Sequence, residues 1–291
     1  MFKKAIPKKI AFLVYYYAHV IMYSKYLLIL VFSFSLFKGC ELLAQPLLIC
    51  GHRGGFYSDY PENSIAAFEF TFSHASDLPI MVEFDLRKSK EGTLFIMHDN
   101  TLDRTTNGSG AINDKTDNYL SSLFLKNAQG QLTAERIPTF ERLLEYASTR
   151  KIVLMLDIKD DVWDEALALV KEKGMQGKCV VLTFNSQHTS TAFRLLSEAR
   201  ISYLDDDPDE RDAAATIPLS KRVAYVTSKT TKERIQELSS TGVLIMADMS
   251  EFSRNDGKPF HKPYYLDQVL SQKLGILITD FPSTVSAIFN R

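Results

Sequence analysis

From residue 46 onward, short apolar runs alternate with longer segments in which apolar positions recur every three or four residues. The short runs read as buried strands and the periodic segments as amphipathic helices. Strands are predicted at 46–50, 80–86, 151–158, 178–184, 201–204, 223–227, 243–247 and 275–279. Helices are predicted at 63–74, 139–149, 162–173, 186–199, 231–241 and 264–273, with a last one starting near Ser283. Asn63 or Ser64 supplies the side-chain oxygen that caps the first of them. Eight strands separated by helices over about 245 residues is the pattern of a closed parallel barrel. The expected fold class is therefore α/β, a TIM (β/α)8 barrel over 46–291 with a small insertion after the second strand. An open doubly wound sheet is the competitor, but no Gly-x-Gly-x-x-Gly turn follows the first strand.

Residues 98–138 break the alternation. They are polar and turn-rich, and too long for an ordinary connection. They are expected to form a small insertion over the barrel mouth that shapes access to it. The run Asp205-Asp206-Asp207-Pro208-Asp209 reads as a solvated strand-to-helix loop rather than a metal site.

Residues 1–45 have a different character. Lys3, Lys4, Lys8 and Lys9 precede an apolar stretch from Tyr26 to Phe37 and the small-residue site Ala44-Gln45. A basic start, a short apolar core and a small residue before a cut make a secretory leader, with cleavage expected after Ala44. Met22 is an alternative start. Export to the periplasm or medium is the expectation. A retained N-terminal membrane anchor, which would keep the protein close to a membrane, is the alternative.

Composition adds exclusions. The formal net charge of -1 gives no general affinity for nucleic acid, so any phosphate site must be local. Of three cysteines, Cys40 lies in the leader. Cys50 and Cys179 read as small buried apolar residues, with no disulfide framework or zinc spacing.

The candidate chemistry gathers at strand ends. His52 and Arg53 directly follow the first strand, where barrel enzymes place reacting groups, and Gly54-Gly55 lets the backbone approach a ligand closely. Glu83 and Asp85 are two apart on a strand and share a face, with Val82, Phe84 and Leu86 on the other. Inside a barrel, two such carboxylates need a cation to stay charged. A tight hairpin centred on Glu91-Gly92 would set Asp85 opposite His98. Asp157 and Lys159 form a further pair two residues apart. Histidines that exchange protons near neutral pH, an arginine that grips phosphate with two hydrogen bonds, and carboxylates that hold a hard cation together make a kit for cleaving a phosphate ester.

These residues carry a resemblance. The text His52-Arg53-Gly54, Tyr60-Pro61-Glu62-Asn63-Ser64, Glu83-Phe84-Asp85, His98-Asp99 through Thr106, and Ile278-Thr279-Asp280-Phe281-Pro282 resembles the glycerophosphodiester phosphodiesterases. Those enzymes belong to the barrel superfamily that includes the phosphatidylinositol-cleaving phospholipases. The resemblance spans nearly everything after the leader. It implies metal-dependent hydrolysis of a small glycerophosphodiester to glycerol 3-phosphate and an alcohol, with His52 and His98 as the acid–base pair. It further implies one Mg2+ or Ca2+ on Glu83, Asp85 and Asp157, phosphate on Arg53 and Lys159, and a site shaped by Glu62 and Asn63. Two departures stand out. Asp157-Ile158-Lys159 replaces the family's Glu-x-Lys, and Ala247-Asp248-Met249-Ser250 stands where a tryptophan-containing segment is usual. The rival readings are a phospholipase of the same superfamily, with Phe56, Tyr57 and Tyr60 as part of an apolar rim, and a non-catalytic binding barrel.

Overall fold

The computed structural model describes residues 47–74 and 79–290. The expected leader lies outside them. Among the described residues, β1 (Leu48–Gly51) and β2 (Ile80–Lys88) are followed by β3 (Leu94–Ile96), which turns back antiparallel on β2. A separate antiparallel ribbon comes next, β4 (Phe124–Lys126) with β5 (Leu132–Arg136). Six further strands complete the sheet: β6 (Val153–Ile158), β7 (Cys179–Val181), β8 (Arg200–Leu204), β9 (Arg222–Tyr225), β10 (Leu244–Asp248) and β11 (Ile276–Thr279). Strands β1, β2 and β6 to β11 pair in parallel, and β11 returns to β1. The sheet is therefore a closed eight-stranded TIM barrel, as the alternation predicts.

The two faces of these strands enter different cores. Cys50, Met81, Met155, Val180, Val223, Met246 and Ile278 come from seven strands yet form one cluster, so they fill the barrel interior. Val82, Phe84, Leu154, Leu156 and Val181 pack outward on helix residues such as Phe68, Phe140, Leu143 and Leu167. Successive strand residues point to opposite faces. Glu83 and Asp85 therefore share the inward face of Met81, and Asp157 that of Met155. Among the described residues no helix is long and apolar enough to cross a membrane.

The segment after β3 has a small core of its own, with Leu102, Ile112, Leu120, Leu123, Leu125 and Ile137. The helix Asp117–Ser122 and the β4–β5 ribbon fold over that core.

Two sequence expectations change. The hairpin register runs Leu86↔Ile96 and Lys88↔Leu94, so Asp85 lies opposite Met97 rather than His98. The loop holds three residues inside the Ser89–Thr93 pair, not two. Ser89 Oγ accepts the amides of Glu91 and Thr93, and Gly92 takes φ +92°, a conformation suited to glycine. One extra loop residue moves the pairing by one.

The acidic run at 205–209 is structural rather than simply solvated. Asp205 is buried and takes a two-pronged pair from Arg234. Asp206 accepts the hydroxyls of Thr227 and Thr230, and Asp207 caps the helix Pro208–Ala215.

Candidate active site

The barrel register assembles the site. Gly51 pairs with Val82 on one side and Thr279 on the other. One residue further along each strand come His52, Glu83 and Asp280. On β6, Asp157 pairs directly with Asp85.

The turn after β1 is unusual. Arg53 has φ +52° and ψ +31°, a left-handed conformation that costs a non-glycine residue about 1–3 kcal/mol. The strain aims the Arg53 amide at Glu83 Oε2, 2.7 Å away. Gly54 follows with φ +89°, and a Cβ there would lie 2.5 Å from the Phe68 ring. Asn63 is also left-handed, at φ +58°. Its amide donates to the Arg53 carbonyl at 2.9 Å and its side chain to Asp85 Oδ2 at 2.8 Å.

Glu83, Asp85 and Asp157 each offer a carboxylate oxygen, all within 4.8 Å of one another. Glu83 and Asp85 are buried. Burial, and then the Asp85 charge, push the Glu83 carboxyl well above the usual range. Burial, and then Asp85 among the charges, also raise Asp157, partly offset by Lys159. Asp85 goes the other way. Burial opposes its charge, but Lys159, Arg53, His98 and the Asn63 hydrogen bond outweigh it and lower its pKa. Lys159 Nζ lies 2.6 Å from Asp157 Oδ2 and 3.1 Å from Asp85 Oδ1. Arg53 Nε is 3.7 Å from Asp85 Oδ2, and this buried donor makes no hydrogen bond. An all-oxygen set of three crowded carboxylates, two of them buried, fits a hard divalent cation.

Each histidine has an aspartate partner. His52 Nδ1 lies 2.7 Å from Asp280 Oδ1, and His98 Nδ1 lies 2.8 Å from Asp99 Oδ1. Burial disfavours a charged His52. The Asp280 hydrogen bond and the Glu83 and Asp280 charges outweigh it and raise the ring to about 9. His98 reaches the mouth because the chain has left β3 at Ile96, and Arg87 Nε holds its carbonyl at 2.8 Å.

Arg104, from the insertion, links the two halves of the mouth. Its guanidinium forks onto Glu62 at 2.6 and 2.8 Å and onto Asp99 at 2.6 and 2.9 Å. Glu62 also accepts from Arg53 Nη1 at 3.1 Å. The Arg104 hydrogen bonds are the main cause that holds Asp99 well below the usual carboxylate range. A cleft of about 790 Å³ opens from His52 and Arg53. Its walls include the β4–β5 turn at Asn127–Gly130 on the insertion, Phe56, and Phe252 with Ser253 after β10.

The structure thus brings all nine residues singled out in the sequence to one end of the barrel. Sequence reasoning missed Asp99, Arg104 and Asp280 as partners. All three stood in the quoted motifs, and Asp280 follows a strand end just as His52 does.

The sequence model of the Glycerophosphoryl diester phosphodiesterase family matches residues 52–269. The chain belongs to the glycerophosphoryl diester phosphodiesterase family. It is 28% identical over 164 residues to a glycerophosphodiester phosphodiesterase of Caldanaerobacter subterraneus, covering 54% of this chain and 66% of that one. It is 30% identical over 156 residues to the human glycerophosphodiester phosphodiesterase 1, covering 51% of this chain and 46% of the relative. These matches therefore span two thirds or less of each relative's length. A crystal structure of a glycerophosphoryl diester phosphodiesterase from Parabacteroides distasonis superposes with TM-score 0.73 at 29% identity, covering 84% of this chain and 87% of that one. An Oleispira antarctica phosphodiesterase, solved in complex with the product sn-glycerol-3-phosphate, shares the fold with TM-score 0.66 at 20% identity, over 84% and 98% of the two chains.

Proposed function

We propose that this family member hydrolyses glycerophosphodiesters to glycerol 3-phosphate and an alcohol with the help of one divalent cation. The observation that carries the reading is the convergence of three carboxylates at the barrel mouth, together with two histidines each oriented by an aspartate. The product named for the Oleispira relative supports the substrate class.

Glu83, Asp85 and Asp157 would hold Mg2+ or Ca2+, which when bound offsets phosphate charge and stabilises the transition state. Asp157 takes the place of the family's glutamate and already lies beside Asp85 in register. Arg53, with its unused Nε, and Lys159 bind the phosphate oxygens. Asn63 keeps Asp85 oriented, and Glu62 sets the Arg53 guanidinium.

An ionised Asp280 can only accept, so the His52 proton sits on Nδ1 and leaves Nε2 for the reaction. The Asp280 hydrogen bond and charge favour the protonated form of His52, which suits donation of a proton to the leaving oxygen. His52 also lines the cleft, where the alcohol would lie. His98, held through its own Nδ1 by Asp99, takes the proton from the attacking hydroxyl. The expected leader adds the proposal that 46–291 is the catalytic domain and acts after export. N-terminal sequencing of the mature protein tests this, and a retained Met1 or Met22 would reject cleavage.

The deciding experiment is release of glycerol 3-phosphate from a panel of diesters, before and after chelation and with Mg2+ or Ca2+ restored. Release that stops with chelator and returns with metal is expected. Full activity after exhaustive chelation, or no release from any diester, would reject the reading.

A further inference from the structure

We propose that Glu251 is the positioning residue that sets Asp280, and through it His52, for the reaction proposed above. Glu251 begins the short helix Glu251–Arg254 that follows β10, and it is 0% exposed. It lies outside the metal cluster, the histidine pair and the phosphate grip.

Both of its oxygens accept hydrogen bonds, and both face the end of β11. Oε2 accepts the backbone amide of Asp280 at 2.7 Å. Oε1 accepts the Thr279 hydroxyl at 2.7 Å and the Tyr265 hydroxyl at 2.5 Å. The grip is returned by the next residue, since the Phe252 amide donates to Asp280 Oδ2 at 2.8 Å. Residues 251 and 252 thus hold Asp280 by its backbone and by one carboxylate oxygen. The other oxygen, Oδ1, meets His52 Nδ1. With the peptide and Oδ2 both fixed, the Asp280 carboxylate cannot turn away from the imidazole.

A buried carboxylate is costly to keep, and here three donors compensate it. An alanine would leave the Asp280 amide and two buried hydroxyls without their acceptor, and Asp280 free to move. A glutamine would keep the grip on Asp280. Its carbonyl would still accept the Asp280 amide, while its NH2 would donate to the two hydroxyl oxygens, whose protons then lose their acceptor.

The test joins kinetics with a direct view of the His52 proton. In proton NMR of the full chain, the Nδ1–H held by Asp280 gives a downfield signal, identified by its loss in His52→Ala. Glu251→Ala should remove or shift that signal, and Glu251→Gln should keep it. Glu251→Ala should lower kcat roughly 10-fold or more at nearly unchanged KM, as loss of an orienting carboxylate does, and Glu251→Gln should restore most of it. Placed in the His52→Ala background, Glu251→Ala should change the residual rate by less than about twofold, because residues that act as a unit are not additive. If Glu251→Ala does not fold, Tyr265→Phe, which takes one donor from Oε1, should still shift the signal. An unchanged signal in Glu251→Ala, or in Tyr265→Phe where that variant serves, overturns the proposal. So do losses that multiply with those of His52→Ala. Absence of diesterase activity in the wild type would reject the catalytic reading alone, and the proton signal would still decide whether Glu251 sets the dyad.

Discussion

His52 and Asp280 are hydrogen bonded at 2.7 Å across the seam where the barrel closes, although 228 positions separate them in the chain. The contact follows from register. Gly51 pairs with Thr279 on the strands that begin and end the barrel, and the next residue on each supplies one half of the dyad.

Asp280→Asn should remove the carboxylate charge and leave at most a weaker, neutral acceptor for Nδ1, so the His52 pKa falls from about 9 toward the ordinary 6.5. If His52 works charged, the alkaline limb of the rate profile moves to lower pH, and turnover at pH 8 drops roughly 10-fold or more. Stability carries the same sign. A folded-state pKa raised from 6.5 to about 9 gives stabilisation that is complete below about pH 6.5 and is lost as pH rises through about 9. Melting curves of Asp280→Asn should lack that slope, and an unshifted rate profile would disprove the assignment.

Glu83→Gln separates activity from stability. The Glu83 pKa is raised on folding, so its ionised form opposes folding as pH rises above the ordinary carboxylate range. At pH 8 in chelator the glutamine variant should melt no lower than the wild type, because it relieves repulsion with Asp85 and still accepts the Arg53 amide. It should lose activity and most of the thermal stabilisation that Mg2+ or Ca2+ gives the wild type. A variant with wild-type metal stabilisation would show that the cation is held elsewhere.

Arg104→Lys keeps a charge but loses the planar fork that bridges Glu62 and Asp99. Since Asp99 orients His98, kcat/KM should fall about 10-fold, toward the roughly 10²-fold or greater loss expected for His98→Ala. The melting temperature should move little, because the pairs are partly exposed and such pairs contribute about 0–1 kcal/mol each. A large drop in melting temperature with normal kinetics would make Arg104 a fastener of the insertion only.

Phe252 lines the cleft with its ring 53% exposed and its edge against Phe56, at 4.3 Å between centroids. Phe252→Ala should raise KM several-fold for diesters of large alcohols and little for small ones, since a lost apolar contact changes discrimination by about 1–3 kcal/mol. Equal effects across a panel of alcohols would place the leaving group away from this wall.

The barrel could be read from the chain because each strand is a short branched-apolar run that buries both faces. Glu83 and Asp85 stood out as the exceptions on one of those faces. Asp280, Asp99 and Arg104 were quoted as text but not as parts of a network, because their partners are set by three-dimensional register and by the folded insertion. Glu251 carried no signal at all, since a glutamate at the start of a helix is ordinary. The slip at Ser89–Thr93 turns on one side-chain oxygen capping a loop, which no apolar pattern records. The aspartates at 205–207 read as solvated because the arginine that pairs with Asp205 comes 29 residues later.

The seam between the first and last strands also sets when the site can exist during synthesis. A chain still emerging from the ribosome already carries His52, the acidic cluster and the insertion, yet its histidine has no carboxylate partner until β11 has been made and docked. No contiguous half of the barrel holds both members of the dyad. The proposed hydrolysis would therefore be a late event that reports completed ring closure, and two separately expressed halves should gain activity only when they pair.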